Sequence, residues 1–459
     1  MLSLIIDSFS DLEEFYNFLL KEDCIFDVVR SDSSLHPLDG DLSCIFCKCI
    51  FSGKYFILPV DHSESIFSVN KEDIAKKINE SKNNIFVFNK KSFDQSMGTT
   101  VTKDINILRY LKEGKQIESE EFNTSAHRFI QNAFYQFKNL NKSIPILKHN
   151  EKFRKMCQVA EDIIKESESG TFLKLNGDLT NVLSEMEKNG LYVNPDKFLG
   201  SFGQQHKKHI NPQNLVHCQY NIYTSTGRPS NRFGGINYAA LKKDNGERSC
   251  FESRFGDNGM LVLMDYKSYH PRILADLIGY NFPFDVDVYE FLSKYYFKTD
   301  IVNNEDIKKS KDITFQLLYG GITKEYEDIP YFKKVQKYTD ILWSEFQTSH
   351  YVETPLFKKR IKPCHISDPF PSKLLNYIIQ SQETELNCEM LRNVLDLTKD
   401  TRSKVILYQY DSILIDFYKD DGRGRQLLLD VKKIMEKDKF PVSIQIGSNF
   451  HEMKKVDSF

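Results

Sequence analysis

The chain has 459 residues, 13% of them aromatic, and a formal net charge of −2, which is enough material for two or three hydrophobic cores. No stretch approaches about eighteen consecutive apolar residues, which excludes an apolar membrane-spanning helix. The opening MLSLIIDSFSDLEEF lacks the basic start of a signal peptide, and nine cysteines without a regular framework suit a reducing cytoplasm.

In chain order, residues 1 to about 140 read as α/β. Leu12 to Leu20 is a helical pattern. Ile25 to Val29, Leu42 to Phe51 and Tyr55 to Val60 read as strands, with Gly53 at the last turn. Ile74 to Ile78 is helical, Asn84 to Phe88 a further strand, and Ile105 to Leu111 and His127 to Phe137 are helices. Cys44, Cys47 and Cys49 form the one cysteine cluster. Without a second pair or a nearby His they read as buried strand residues rather than zinc ligands. Residues 150 to 200 are helical, with Leu183 and Met186 on one face and a stop at Gly190.

Three later segments carry candidate chemistry. MLVLMD, from Met260, is a buried-strand pattern ending in Asp265. That carboxylate would either cap a helix over Ser268 to Ile278 or serve a reaction. In DIKKSKDITFQLLYGG, Lys311, Phe315 and Tyr319 are spaced by four and share one helical stripe. Such a lysine is either simply solvated or set to meet an anion. In VILYQYDSILIDF, Asp411 lies in a hydrophobic hairpin, which is costly unless it is paired or bound to a metal. The net charge argues little about nucleic acids, because local patches decide that. Lys207-Lys208-His209, Lys308 to Lys311 and Lys358-Lys359-Arg360 matter only if they flank one groove.

Taken together, these strings resemble DNA polymerase family A, the bacterial polymerase I type. LVHCQYNIYTSTGRPSNRFGGINYAAL keeps His217, Tyr220, Asn221, Thr224, Thr226, Gly227, Arg228, Ser230 and Asn237 in the family's register. DYKSYHPR resembles its motif A, with Asp265 as metal-binding carboxylate, Tyr266 beside it and Arg272 as the helix arginine. His270 stands where the family has a Glu that shields the sugar pocket, which implies weakened discrimination against ribonucleotides. Lys311, Phe315 and Tyr319 match motif B, whose first arginine is replaced by Ile307 with Lys308 one residue on. Asn376 and Gln380 match an amide-bearing helix facing the primer–template minor groove, and Tyr410-Asp411-Ser412 stands for the Val-His-Asp-Glu of motif C.

The resemblance implies a multidomain α/β and α+β chain. A degenerate ribonuclease H-like, 3′–5′ exonuclease-type domain would span 1–145, and a helical connector with a thumb remnant 146–215. The palm would take 216–295 and 391–459, and the fingers 296–390, with the thumb largely missing. Asp265 and Asp411 would hold two Mg²⁺ ions, with Lys311 assisting catalysis. Arg228, Tyr266, His270, Lys308, Phe315 and Tyr319 would bind the dNTP, and Asn237, Arg272, Asn376, Gln380 and Tyr410 the primer–template DNA. A partner would hold the DNA in place of the thumb, with no membrane involved. The small size fits a phage-type enzyme acting in the host cytoplasm. In the exonuclease-like region Asp27 matches the first family acid, but Val29 replaces the Glu. Asn89 and Asp94 are one residue out of spacing, and the helix around Phe129 to Tyr135 lacks an Asp. Two metals need several convergent carboxylates, so proofreading is expected to be absent. The rival readings are a single-subunit RNA polymerase, a non-catalytic DNA-binding relic, and a nuclease working through the N-terminal region.

Overall fold

Two apolar runs, LSCIFCKC and GMLVLMDY, become inner strands of two separate sheets. The computed structural model describes residues 3–135, 137–165, 169–243, 246–420 and 422–456. The chain divides into two units, Met1–Ser184 and Glu185–Phe459.

The first unit carries β1 (Ser3–Ile5), β2 (Cys24–Arg30), β3 (Leu42–Cys49), β4 (Tyr55–Pro59), β5 (Ile85–Val87) and β6 (Lys103–Asp104). They form one sheet in the order β1-β4-β3-β2-β5-β6. β2, β3 and β4 are antiparallel, whereas β1, β5 and β6 join parallel to their neighbours. β3 is buried throughout, which is why it reads as a continuous apolar run rather than an alternating one. Around the sheet run α1 (Phe9–Leu19), α2 (Lys71–Glu80), α3 (Lys90–Met97), α4 (Ile105–Glu113), α5 (Ser125–Ala133), α6 (Ile146–Ile164) and α7 (Gly170–Leu173). The helix read over His127 to Phe137 is α5, and it stops at Ala133. Cys24, Cys47 and Cys49 belong to the hydrophobic core of this unit. Their sulfurs lie within 4.8 Å of one another, with no His or carboxylate in the cluster. They pack as buried hydrophobes.

Chain passage into the second unit occurs within α8 (Thr180–Asn189), which Gly190 terminates at φ +59°. Two short ladders follow. β7 (Leu191–Tyr192) pairs with β8 (Leu215–Val216), and β9 (Tyr220–Asn221) with β10 (Ser230–Asn231). Between β7 and β8 lie α9 (Pro195–Phe202) and a short 3-10 turn over Gln204–His209. The main sheet contains β11 (Gly259–Tyr266). The helices α10 (Tyr269–Leu277), α11 (Val288–Phe297), α12 (Asn304–Gly320) and α13 (Pro330–Ser349) come next. The ladder of β12 (Val352–Glu353) and β13 (Arg360–Ile361) leads into the long α14 (Pro371–Thr398). The chain closes with β14 (Lys404–Tyr408), β15 (Ser412–Tyr418), α15 (Arg425–Glu436), β16 (Val442–Gly447) and β17 (Lys454–Val456). Their antiparallel sheet runs β14-β15-β11-β16-β17, and α10 to α14 share a second core built on Leu274, Leu318, Phe332 and Ile378. No helix among the described residues is long and apolar enough to cross a membrane.

Candidate active site

Asp265 lies near the C-terminal end of β11, where the register sets it opposite Ser412 of β15 and Ser443 of β16. The helix that follows takes Ser268 as its N-cap residue, at φ +53°, so Asp265 is not its cap. The hairpin from β14 to β15 closes through Gln409 N–H donating to the Ser412 carbonyl at 2.8 Å. Within it, Asp411 N–H donates to the Gln409 carbonyl at 2.9 Å, forming a γ-turn about Tyr410 at φ +71°. A non-glycine residue there is strained, and such strain concentrates at functional sites. Asn387 of α14 steadies the turn by donating to the Tyr410 carbonyl at 2.7 Å. The Tyr266 N–H donates to the Asp411 carbonyl at 2.9 Å, so strand register and turn together bring the two aspartates side by side.

Their electrostatics are those of a site short of positive charge. Burial and then the neighbouring Asp411 push the Asp265 carboxyl up to about 7, against the pull of Lys243 and Lys311. Asp411 reaches solvent at the cavity mouth. The protein packed around it and then Glu383 nevertheless raise its pKa, against Arg228 and His270. Two carboxylates that resist joint ionisation are a donor set a divalent cation would relieve.

A cavity of about 400 Å³ opens over this pair, within the range of small-ligand sites. A larger hollow of about 860 Å³ lies along α13. It is a groove of mixed charged side chains with none of the converging groups found here. Into the smaller cavity α12 projects Lys311, Phe315 and Tyr319, each about 6 Å further along the axis. The Phe315 and Tyr319 rings stack at 5.5 Å and 18°. Lys311 Nζ stands 5.9 Å from the ring centres of both Phe315 and Tyr289.

Arg228 enters from the turn between β9 and β10, where Gly227 takes φ +78°. Its guanidinium lies 3.8 Å over the Tyr410 ring, a cation–π contact. Its Nη2 donates to Glu383 Oε1 at 3.3 Å. Nε is closer to Oε2, at 2.7 Å, but too poorly aligned to count as a hydrogen bond, so the contact is an ion pair first. His270 links Glu383 Oε1 at 3.1 Å to the Tyr319 hydroxyl at 2.6 Å.

The structure therefore brings together Asp265, Asp411, Lys311, Arg228, His270, Phe315 and Tyr319, with Tyr410 beneath Arg228. Tyr266 borders the cavity, but its ring stacks on Tyr269 at 4.0 Å and its hydroxyl donates to Met435. Arg272 is buried and donates to the carbonyls of Pro283, Phe284 and Val286, so it braces a loop. Lys308 is exposed and lies off the cavity wall. Asn376 and Gln380 hydrogen-bond to each other at 2.8 Å on α14, and Asn237 precedes the 3-10 turn Tyr238–Ala240. None of these three lines the cavity. Sequence reasoning missed Glu383 and Tyr289. Glu383 was findable, since 376, 380 and 383 form one helical stripe of polar residues. Tyr289 carried no such signal.

In the first unit Asp27 faces a different cavity, of about 530 Å³, shared with Lys152, His127 and His149. Two further acids of this unit are engaged. Asp94 pairs with Lys90 at 2.5 Å and accepts from Thr99 and Thr102. Asp104 caps α4 and accepts from the Lys90 N–H.

No family model matches the chain. An alignment over 128 positions, covering 26% of this chain, is 35% identical to a DNA polymerase of Bacillus phage SP01, of whose length it spans 13%. Among solved structures, the POL domain of Pol1 from M. smegmatis, determined in complex with DNA primer–template and dNTP, superposes with a TM-score of 0.69 at 14% identity. That match covers 96% of this chain and 98% of the POL domain. The chain thus has the fold of a Pol1-type polymerase domain, in keeping with the family A resemblance carried by its motifs.

Proposed function

We propose that the chain is a template-directed DNA polymerase that adds deoxynucleotides to a primer 3′-OH. The observation that carries this is the meeting, in one cavity, of Asp265, Asp411, Lys311, Phe315, Tyr319 and Arg228, which arrive from four separate segments of sequence in the family's order. The fold shared with a polymerase domain solved on primer–template and dNTP supports the same substrates.

Two Mg²⁺ ions, when bound, would lower the pKa of the primer hydroxyl and neutralise the leaving pyrophosphate. Asp265 and Asp411 are the residues to hold them. Lys311, at the carboxylate end of the α12 stripe, balances phosphate charge and can give a proton to the pyrophosphate. Phe315 offers an aromatic face to the sugar. Arg228, steadied on Tyr410 and by Glu383, presents planar donors to the base-pair acceptors common to every correct pair.

The first unit reads as an exonuclease-type domain that no longer proofreads. The order of its sheet, with three antiparallel strands joined to parallel β5 and β6, supports a ribonuclease H-like origin. The capture of Asp94 and Asp104 by internal partners supports loss of the metal site. The short passage between α9 and β8 supports a reduced thumb and hence a separate DNA-holding partner. In the second unit, the β11-centred sheet fits the palm of 216–295 and 391–459, and α12 and α13 fit the fingers of 296–390. A phage-encoded enzyme of this kind would work in the host cytoplasm.

The test is a primed template incubated with Mg²⁺ and either dNTPs or NTPs, resolved on a gel. Template-dependent extension with dNTPs is expected. Extension with NTPs alone would favour an RNA polymerase, and shortening of the primer would favour a nuclease.

A further inference from the structure

Glu383 is a fully buried carboxylate on α14 that touches two site residues from two other elements. A buried charge is costly unless it is paired, and here it is answered by the Arg228 ion pair and by a hydrogen bond from His270. Because a carboxylate only accepts hydrogen bonds, His270 Nε2 must carry the proton it donates to Glu383 Oε1 at 3.1 Å. In the neutral ring Nδ1 is then the acceptor, and the Tyr319 hydroxyl donates to it at 2.6 Å. Both ring nitrogens are engaged, so the imidazole is held against Tyr319, edge to face at 6.3 Å and 85°. It has no free nitrogen to offer a ligand.

The position of that ring follows from the axial order on α12. Phosphates are drawn to Lys311 and the Asp265–Asp411 end of the cavity. The sugar behind them falls at Phe315, about one turn along, and the Tyr319–His270 pair about one turn further. A deoxyribose meets a closed wall there. A ribose brings an extra hydroxyl to groups whose donors and acceptors are already taken, and an unpaired buried hydroxyl is penalised.

We propose that Glu383 is the positioning residue that sets sugar choice, by locking His270 into a hydrogen-bond-saturated wall that admits a deoxyribonucleotide and disfavours a ribonucleotide. This rests on the polymerase reading, and it reverses the weakened discrimination expected from an imidazole at position 270 alone. The carboxylate is supplied from α14 instead of α10.

The experiment compares kcat/KM for a dNTP and the matching rNTP, on one primed template, in wild type, Glu383→Ala, Glu383→Gln and Tyr319→Phe. Wild type should prefer the dNTP by roughly 10²-fold, the scale on which a pocket that offers an added hydroxyl no partner rejects it. Glu383→Ala frees Nε2 and should cut that ratio about tenfold. Glu383→Gln keeps an acceptor for Nε2 and should restore most of it. Tyr319→Phe frees Nδ1 and tests the same wall without touching Glu383. A merely structural role would slow both substrates alike and leave the ratio unchanged. A ratio unaltered in all the variants, with dNTP extension intact, would overturn the role of Glu383 alone. No dNTP extension by wild type would instead overturn the polymerase reading.

Discussion

Asp27 and Asp265 both sit on inner strands beside a cavity, and their surroundings differ in one respect. Near Asp27 the neighbouring charges are cationic: Lys152 and Arg30 both oppose the burial that lifts its carboxyl to about 6. The further acids of that unit are tied to Lys90, Thr99, Thr102 and the start of α4. Beside Asp265 the dominant neighbour is another carboxylate, Asp411, which adds to burial and lifts it to about 7. The first unit ties Asp94 and Asp104 to internal partners, whereas the second sets two raised carboxyls side by side, a pair that a divalent cation would relieve. On the proposed reading, electrostatic frustration retained between two carboxylates, more than the count of acids, is what marks a metal-holding pair.

The largest effect that would break this comparison is at the frustrated pair. Asp265→Asn or Asp411→Asn should lower primer extension by at least 10³-fold while leaving duplex binding by gel shift within about twofold. Extension persisting in either variant removes that carboxylate from the mechanism.

Next in size is the ion pair beneath the cavity. Arg228→Ala leaves Glu383 buried with only His270 to answer its charge. Breaking a buried pair from one side costs about 3–5 kcal/mol, and Arg228 is only partly exposed. Denaturant unfolding should show a loss approaching that figure. Arg228→Ala combined with Glu383→Gln should recover part of it, because the uncompensated charge is then gone. A double variant no more stable than Arg228→Ala alone would mean that the pair matters little to the fold.

Much of this site was readable in advance because its parts obey short-range rules. A buried strand ending in Asp265, a stripe of Lys311, Phe315 and Tyr319 at one-turn spacing, and Asp411 in an apolar hairpin are each set by local periodicity. The same holds for the strands of the first unit and for Gly53 at its turn. Arg272 was misplaced because a helix position does not reveal whether a guanidinium points to a ligand or to nearby carbonyls. Here three carbonyls of the following loop take it. Glu383 shares a helical stripe with Asn376 and Gln380, but that periodicity alone did not give it a role. Its meaning comes from Arg228 and His270, which are far away in sequence and adjacent only once the sheet and helices have formed.

Protonation gives a smaller contrast. In the first unit His127 Nε2 and His149 Nδ1 lie 3.0 Å apart, and His149 Nε2 contacts the Asn141 carbonyl at 2.9 Å. That carbonyl can only accept, so His149 Nε2 carries a proton and His127 donates to His149. Burial holds both rings down to about 4. Histidines depressed in the folded state give stability that is present above about pH 6.5 and lost as pH falls toward 4, because the unfolded chain takes up the protons first. Asp265 and Asp411 run the other way. Their raised carboxyls favour the fold at low pH and weaken it as pH rises, Asp265 doing so toward about 7. Amide exchange, corrected for intrinsic rates and run without metal from pH 4.5 to 7, should show protection growing around α5 and α6 and falling around β11 and β15. Parallel trends in the two regions would contradict these assignments.

The smallest expected effect is at Asp27 itself. With its carboxyl lifted to about 6, mainly by burial, ionisation at pH 8 works against the fold, and Asp27→Asn removes that burden. Below about pH 4 the acid is protonated in both states and the substitution should be nearly neutral. The melting temperature should therefore rise slightly at pH 8 and stay put at the acid end, with primer extension unchanged throughout. A vestigial cleft allows that outcome because no metal in it calls for an ionised Asp27. A working exonuclease does not, since its metal would need Asp27 ionised. If wild type releases nucleotides from a primer 3′ end in Mg²⁺ and Asp27→Asn stops it, the first unit is an active nuclease and its contrast with the second disappears.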